Sequence, residues 1–416
     1  MVRCNWLICL LGVCSLASAA DWPQWRGPER NGVSKETGLL QEWPAGGPKL
    51  LWQVKDIGDG YSTPAVVGDR LYLISNKGMD NEYVHCLSAA DGKEIWSTTI
   101  GKVGRNDGPQ YPAARSTPTT DGSRLFALGS DGDLACLETA SGKIVWKKNL
   151  REDFAGNFGK WAYAESPLVD GDAIVCTPGG AEATLVKLNK ASGETIWKGV
   201  VPEGDNAGYA SIIIVEAAGV KQYVQFLENG LVGLDAKTGK FLWRYDKTAQ
   251  SSPANIPTPV ARESLVYSAS NRGGAGLVQL KGGTNAIDAE QVYATPRLPS
   301  SIGGAVLVDG NLYGTNSQGL VCADFATGDV KWQDRSIGAA SLLAADGRLY
   351  LHGENGDVAL VELTPEGYRE KGKFTPPEIQ PRGRVNSKAW AYPVVANGKL
   401  YIRDLGVVWC YEVSAK

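Results

Sequence analysis

A glycine placed four residues before a tryptophan recurs along this chain at a nearly constant interval. The pairs are Gly92/Trp96, Gly142/Trp146, Gly193/Trp197, Gly239/Trp243 and Gly328/Trp332. The first and last of these glycines are 236 residues apart, which is five steps of about 47 residues. A period of this length is typical of repeat architectures, in which one small supersecondary unit is copied and stacked. The chain is therefore predicted to consist of many copies of a single unit.

The second repeat shows the layout of the unit most clearly. Runs of β-forming residues occupy positions 116–120, 124–129, 134–138 and 144–150, and turn-forming Asp, Gly and Ser residues separate them. Short runs bounded in this way predict antiparallel strands joined by hairpins. No segment of any length shows helical periodicity. Four antiparallel strands in about 45 residues are typical of one blade of a β-propeller.

The two ends of the repeat region complement each other. The last unit has only three predicted strands, of which the third is at 407–413. The segment at 49–54 resembles the tryptophan-containing strands of the other units, but no unit precedes it. Pairing these two segments would close the ring and remove exposed sheet edges. The 368 residues from Lys49 to Lys416 divide into eight units of 46 residues. We therefore predict an all-β, eight-bladed β-propeller over residues 49–416, with its N-terminal strand paired to the last blade.

Residues 1–20 are interpreted as a signal peptide. Arg3 supplies a positive charge, residues 6–16 are apolar, and Ala17-Ser18-Ala19 forms a small-residue cleavage site. We place the cleavage near Ala19 or Ala20. Lipid anchoring at Cys14 is an alternative, although the valine before it fits poorly. The mature chain is thus expected to be exported to the periplasm or the extracellular space.

Residues 21–48 form a Gly- and Pro-rich segment between the signal and the first predicted strand. We expect this segment to be extended and to pack across a rim of the ring. The apolar part of the signal is too short to span a bilayer comfortably, and no later segment qualifies as a membrane span.

The net charge bears on the class of partner. A net charge of −3 gives no indication of a nucleic-acid partner.

Five cysteines follow the signal, and Cys86, Cys136 and Cys322 each lie six residues before a repeat glycine. Because the same position in separate units is far apart in space, we expect buried thiols rather than disulfides. We also expect a monomer.

The repeats resemble a known family. Cores of the form Ala-x-x-Gly-Lys-x-x-Trp, such as 89–96, are similar to the tryptophan-docking repeats of the PQQ-type quinoprotein propellers, which include the outer-membrane assembly factor BamB. The opening 21–28, Asp-Trp-Pro-Gln-Trp-Arg-Gly-Pro, is similar to the start of secreted bacterial PQQ-like repeat proteins. The resemblance covers residues 49–416 and implies the fold more strongly than any chemistry.

The resemblance also implies one enzymatic alternative, a PQQ-dependent alcohol or sugar dehydrogenase. Such an enzyme needs an axial pocket, a calcium or lanthanide ion on carboxylate and amide oxygens, and a carboxylate base. The chain has no adjacent cysteine pair and no Cys-x-x-Cys-His haem site. Its two histidines, His85 and His352, have no spacing that indicates a zinc site or a nucleophile–histidine pair. We therefore predict no cofactor and no metal, with PQQ and Ca²⁺ required only under the alternative.

The loops that lead into the first strand of each blade are the best place for a binding surface, because they open at one face around the axis. Their candidate ligand-face residues combine aromatic, basic, acidic and amide groups: Tyr61, Arg115, Trp161, Glu165, Tyr209, Asn255, Arg384 and Trp390. We therefore predict a binding or assembly module, not an enzyme, that uses its axial face or its rim to engage a protein or polymer of the cell envelope. The pattern identifies no catalytic residue.

Overall fold

The described part of the chain forms an all-β ring. The computed structural model describes residues 20–105, 111, 113–249, 254–283, 287–335, 337–379 and 387–415. These residues build eight four-stranded antiparallel sheets, which are the blades of one propeller. The predicted fold class and blade number are confirmed.

The first four blades follow one another along the chain. Blade 1 comprises β2 (Ala65–Val67), β3 (Arg70–Lys77), β4 (Asn81–Ser88) and β5 (Glu94–Lys102), after strand β1 (Lys49–Val54). Blade 2 comprises β6 (Thr119–Thr120), β7 (Arg124–Leu128), β8 (Asp133–Glu138) and β9 (Ile144–Asn149). Blade 3 comprises β10 (Leu168–Asp170), β11 (Ala173–Cys176), β12 (Leu185–Asn189) and β13 (Thr195–Gly199). Blade 4 comprises β14 (Ile213–Ala217), β15 (Val220–Leu227), β16 (Gly230–Asp235) and β17 (Phe241–Tyr245).

The other four blades complete the ring. Blade 5 comprises β18 (Val260–Arg262), β19 (Leu265–Ser270), β20 (Gly274–Gly282) and β21 (Ile287–Thr295). Blade 6 comprises β22 (Ala305–Val308), β23 (Asn311–Asn316), β24 (Gly319–Asp324) and β25 (Val330–Asp334). Blade 7 comprises β26 (Ala340–Ala345), β27 (Arg348–Gly353), β28 (Val358–Glu362) and β29 (Glu370–Phe374). Blade 8 comprises β30 (Val394–Ala396), β31 (Lys399–Asp404) and β32 (Val407–Glu412), with β1 as its outer strand.

The ring is closed by the pairing that the sequence predicts. Strand β1 runs antiparallel to β32, from Lys49 opposite Glu412 to Val54 opposite Val408. Both ends of the propeller chain therefore share one sheet, and blade 8 has no missing outer strand.

The Gly/Trp repeat is explained by contacts between neighbouring blades. The indole of Trp146 in blade 2 lies against Gly193 of blade 3, where an added Cβ would be 2.9 Å from Trp146 Cδ2. Gly193 also has φ +75°, a conformation that other residues adopt only with strain. The same contact joins Trp52 to Gly92, Trp96 to Gly142 and Trp197 to Gly239. Each glycine is therefore the docking surface for the tryptophan of the preceding blade.

Blade 5 uses a different aromatic residue for this contact. It has no tryptophan in its outer strand, and Tyr293 packs there against Gly328 of blade 6, at 3.3 Å from the position of an added Cβ. The Tyr293 hydroxyl donates to Phe325 O at 3.0 Å. The tyrosine thus keeps both the ring contact and a hydrogen bond to the next blade, as the indoles of Trp96 and Trp146 do.

One short helix departs from the strand-only prediction. Helix α1 (Leu150–Phe154) follows blade 2, and the side chain of Asn149 accepts hydrogen bonds from the backbone N–H groups of Arg151 and Glu152. Ala155 ends the helix in a left-handed conformation with φ +50°. Five residues are too few for a periodic pattern, so only the capping residue could have signalled this turn. No helix among the described residues has the length and apolar character needed to cross a bilayer.

Residues 20–36 of the N-terminal segment run across the axis of the ring, whereas residues 37–48 pack along blades 7 and 8 before β1, where Leu40 N donates to Val413 O at 2.7 Å and Trp43 N donates to Lys371 O at 2.8 Å. Trp22 exchanges two backbone hydrogen bonds with Val66 of blade 1, at 2.7 and 2.8 Å. Arg30 donates to Ser166 O of blade 3 at 2.9 Å, and Arg26 donates to Ala305 O of blade 6. Ser34 N then donates to Ala344 O of blade 7 at 2.8 Å. Since it contacts the first strands of blades all round the ring, we call residues 20–36 the axial plug.

Candidate functional site

A cavity lies on the face of the ring at which the chain enters each blade. Its volume is about 450 Å³. Its lining comes from the loops before the first strands of seven blades, from one hairpin turn and from the axial plug. We call this cavity the axial cup; its lining residues are Trp25, Tyr61, Tyr111, Arg115, Trp161, Ala164, Tyr209, Ser211, Ala254, Ile256, Asn271, Arg272, Ile302, Trp390 and Tyr392.

The floor of the axial cup is an aromatic pair that joins the axial plug to blade 8. Trp25 and Tyr392 meet edge to face, with ring centroids 4.6 Å apart and planes at 70°. Trp25 Nε1 donates to Thr258 Oγ1 at 2.8 Å, and the Tyr392 hydroxyl donates to Ile302 O at 3.1 Å. Both rings are therefore held by polar contacts at their edges, which leaves the floor rigid.

Two aromatic groups form separate parts of the wall. Tyr61 and Tyr111 pack on Trp390, with ring centroids at 4.9 and 5.4 Å. Trp390 Nε1 donates to Glu354 Oε1 at 2.9 Å, which fixes the indole. In the second group, the Tyr209 hydroxyl accepts from Trp161 N at 2.9 Å. The cup thus presents rings that are already ordered before any ligand binds.

Arginine side chains give the cup a positive character. Arg115 in the wall donates to Trp161 O, and burial lowers the pKa of its guanidinium, opposed by nearby Tyr61 and Tyr209. Arg272 is the second, exposed arginine of the lining. Arg26 lies below the floor and is only 2% exposed, and burial lowers its pKa as well. These charges favour anionic or electron-rich groups in the cup.

Two of the candidate residues support the wall from behind instead of lining it. Glu165 is buried and accepts hydrogen bonds from Thr177 N at 2.5 Å and Gln225 Nε2 at 2.8 Å. Burial raises the pKa of Glu165 to about 7. Asn255 is also buried and donates to Leu227 O at 2.7 Å. Both side chains connect neighbouring blades, because Glu165 accepts from Gln225 of blade 4 and Asn255 donates to the backbone of Leu227 in the same blade.

The structure brings together five of the eight candidates, namely Tyr61, Arg115, Trp161, Tyr209 and Trp390. Arg384 lies outside the described residues. Sequence reasoning did not include Trp25, Tyr392 or Arg272 among the candidates. Trp25 belongs to the conspicuous block 21–28, so its family-like composition was the available signal, although nothing in the sequence located that block at the axis.

A hydrogen-bonded Ser-His-Glu chain lies in blade 1, away from the axial cup. Ser75 Oγ is 2.7 Å from His85 Nε2, and His85 Nδ1 is 2.7 Å from Glu94 Oε2. Ser75 is fully buried, and its hydroxyl is also 2.7 Å from Ile57 O, within hydrogen-bonding distance. The sequence spacing gave no sign of this arrangement, which depends on strand register. The three side chains therefore tie strands β3, β4 and β5 to the loop at Ile57.

The described lining does not fit a calcium-held quinone. Calcium sites in proteins use carboxylate oxygens together with carbonyl or amide oxygens. Among the described lining residues Asn271 supplies an amide, but there is no Asp or Glu. No group of three or more His, Cys, Asp or Glu side chains with metal-binding geometry occurs within the described residues. The five cysteines that follow the predicted signal are buried free thiols.

Comparison with known protein families identifies the repeat. The family model described as outer membrane protein assembly factor BamB matches residues 80–334, which is more than half of the chain. The chain is 26% identical over 247 residues to tetrathionate hydrolase from Acidithiobacillus ferrooxidans, covering 53% of this chain and 47% of that protein. It is 25% identical over 280 residues to BamB from Yersinia pestis, covering 63% of this chain and 66% of that protein. The chain thus spans less than two thirds of the length of either relative.

Solved structures show the same fold at low sequence identity. BamB from Moraxella catarrhalis superposes with a TM-score of 0.59 at 17% identity, covering 88% of this chain and 98% of that one. Quinohemoprotein alcohol dehydrogenase from Comamonas testosteroni superposes with a TM-score of 0.60 at 13% identity, covering 95% of this chain and 81% of that one. These likenesses concern the fold alone. Together with the docking contacts and the family match, they show that the chain belongs to the PQQ-like, BamB-type family of β-propeller repeat proteins.

Proposed function

We propose that this protein is an exported, monomeric β-propeller that binds a protein partner of the cell envelope, and that the axial cup is its binding surface. The composition of the cup carries the proposal. Of its fifteen described lining residues, seven are Trp or Tyr and two are Arg. These three residue types dominate the binding energy of protein interfaces, most of all where they surround a desolvated pocket.

The cup is also suited to binding because it is ordered in advance. Its rings are held by hydrogen bonds such as Trp390 Nε1 to Glu354 and Trp25 Nε1 to Thr258. A preformed aromatic surface loses little conformational entropy when a partner binds. The relatives that are named as assembly factors support a role in assembly, while the partner itself is inferred from the chemistry of the cup.

Export is part of the same proposal. It rests on the signal-like features of residues 1–20, whose removal would leave the N-terminal segment and the propeller of residues 49–416 as the mature protein. A partner in the periplasm or outside the cell follows from this location.

A PQQ-dependent dehydrogenase is the second candidate, and only the fold favours it. The likeness to a quinohemoprotein alcohol dehydrogenase motivates a direct test. The purified protein would be dialysed with PQQ and Ca²⁺ and assayed for dye reduction over a panel of alcohols and sugars. We expect neither retained PQQ nor turnover; tight cofactor binding with turnover would replace the binding proposal.

Photocrosslinking tests the binding surface directly. A benzoylphenylalanine side chain at position 161 is expected to crosslink a discrete envelope protein, whereas the same probe at Val145, which is 40% exposed on an outer strand, is not. With the captured partner purified, the double variant W161A/W390A should weaken binding by at least about 30-fold, because the loss of one strong interface anchor alone has an effect of that size and the variant removes two indoles.

The matched control is V145A/I196A, which removes two exposed side chains from outer strands. It should change the affinity less than about twofold, as energetically near-neutral surface positions do. Circular dichroism establishes that both double variants are folded. Unchanged affinity of the folded W161A/W390A variant would move the interface away from the axial cup.

A further inference from the structure

A buried carboxylate closes the far end of the axial plug. Glu36 is only 2% exposed. Its Oε1 accepts from Asn397 N, and its Oε2 accepts from Gly398 N at 2.9 Å. Both donors belong to the turn between β30 and β31 of blade 8. Glu36 therefore fastens the end of the plug to that blade through two backbone amides.

The start of the axial plug reaches the same carboxylate. Ala20 N lies 3.1 Å from Glu36 Oε1, sixteen residues away in sequence. Asp21 follows with its own contact, since its Oδ1 accepts from Gly68 N at 2.8 Å. The plug is thus a loop whose two ends meet at Glu36, between blade 8 and blade 1.

The charge of Glu36 has no cationic partner in the described protein. None of the described Lys, Arg or His side chains forms an ion pair with it, although other carboxylates, such as Asp205 with Arg244, are paired. A buried carboxylate without a counter-charge is costly, and backbone amides offset that cost only in part. The site therefore fits one further positive charge at the atom that already touches Oε1.

We propose that the Ala19–Ala20 peptide bond is the processing site of this protein and that Glu36 binds the α-ammonium group created there. Hydrolysis by an export-linked signal peptidase uses one water, leaves a carboxylate on Ala19 and frees the amine of Ala20. That amine is protonated at neutral pH, since α-amino groups have a pKa of about 8. The neutral amide of Ala20 becomes a cation 3.1 Å from a buried carboxylate, and the hydrogen bond becomes charge-assisted.

Two independent observations lead to the same bond. The small residues Ala17-Ser18-Ala19 predict cleavage just after Ala19 or one residue later. The position of Glu36 selects between these, because cleavage after Ala20 would remove the atom that Oε1 accepts from. The inference rests on the export part of the proposed function.

N-terminal sequencing of the protein recovered from the envelope fraction or the medium tests the processing site. The expected first residue is Ala20. A first residue at Asp21, or a lipidated Cys14, would overturn the cleavage site while leaving export intact. An unprocessed chain retained in the cytoplasm would overturn export and the processing site together.

A thermal-stability cycle tests the ammonium site without depending on export. Two purified chains that begin at Ala20 are compared, one with a free amine and one with an acetylated N-terminus, which carries no charge. Acetylation is expected to lower Tm by about 2–4 °C, because it removes the positive charge from the hydrogen bond with a buried carboxylate. In the E36Q variant the same acetylation should change Tm by less than about 1 °C.

The control is E29Q, because Glu29 lies on the same plug but is exposed and pairs with Lys35. Acetylation should lower the Tm of E29Q by as much as it lowers the Tm of the protein with the wild-type sequence. Equal effects of acetylation in E36Q and in E29Q would overturn the assignment of Glu36 as the ammonium site.

Discussion

Replacing Gly193 by alanine tests whether the indole of one blade requires a glycine on the next. Gly193 has φ +75°, and an added Cβ would lie 2.9 Å from Trp146 Cδ2 and 3.0 Å from Cε3. The left-handed conformation costs an alanine roughly 1–2 kcal/mol. Forcing a methyl group into a packed contact adds about 1–3 kcal/mol. The variant should therefore lose about 2–5 kcal/mol, which corresponds to a fall in Tm of about 2–6 °C.

Gly171 provides a matched control in the same blade. It has φ +61°, but an added Cβ would meet no atom within 4 Å. Gly171→Ala should show only the conformational cost, about 1–2 kcal/mol. Scanning calorimetry on both variants separates the two contributions, since their difference is the docking contact.

A double variant sharpens the test. In a Trp146→Ala background the indole is gone, so adding Gly193→Ala should cost no more than Gly171→Ala does. Equal Tm shifts for the two single glycine variants, or an undiminished cost of Gly193→Ala without the indole, would refute the docking explanation of the repeat.

Three further predictions concern the blades themselves. Trp197→Ala, which removes the indole docked on Gly239, should lower the stability by about 3 kcal/mol without changing the far-ultraviolet circular dichroism spectrum; an unchanged melting curve would contradict it. Burial raises the pKa of Glu82 to about 7 from an ordinary value of 4.5, so the folded protein holds a proton that the unfolded chain releases and stability falls as pH rises between these values. Glu82→Gln should therefore raise Tm at pH 8 and leave it nearly unchanged at pH 4, and equal shifts at both pH values would refute this. Burial lowers the pKa of His85, so the unfolded chain binds the proton more readily and stability falls as pH drops below about 6.5; His85→Gln should flatten that acid limb in a pH series of melting curves, and an identical limb would show that His85 does not cause it.

The propeller architecture could be predicted because the sequence patterns that define its strands and blades are local and are repeated along the chain. Turn residues at a fixed spacing define four strands, and the repeat gives the number of blades. The closing strand was visible because Trp52 has the pattern of an outer strand without a blade before it. In blade 5, which lacks the tryptophan, Tyr293 occupies the equivalent place.

The axial cup could be predicted only in part, because its membership depends on which way a loop side chain turns. Trp161 and Glu165 lie four residues apart in one loop, yet Trp161 lines the cup while Glu165 turns inward to Gln225. Both orientations are compatible with the same loop sequence. The contact of Trp25 with Thr258 joins residues that are 233 positions apart, and no local pattern encodes such a distance.

The axial plug borders a cavity on each side of the ring, because Trp25 lines the axial cup and Arg30 lines a second cavity. A second cavity of about 510 Å³ lies on the far side, bounded by the plug residues Arg30 and Asn31 and by strands of blades 4 to 6. Substitutions in the axial plug can therefore change the floor of the axial cup without changing any strand of the blades. The two cavities can evolve separately for the same reason, because different residues of the plug line them.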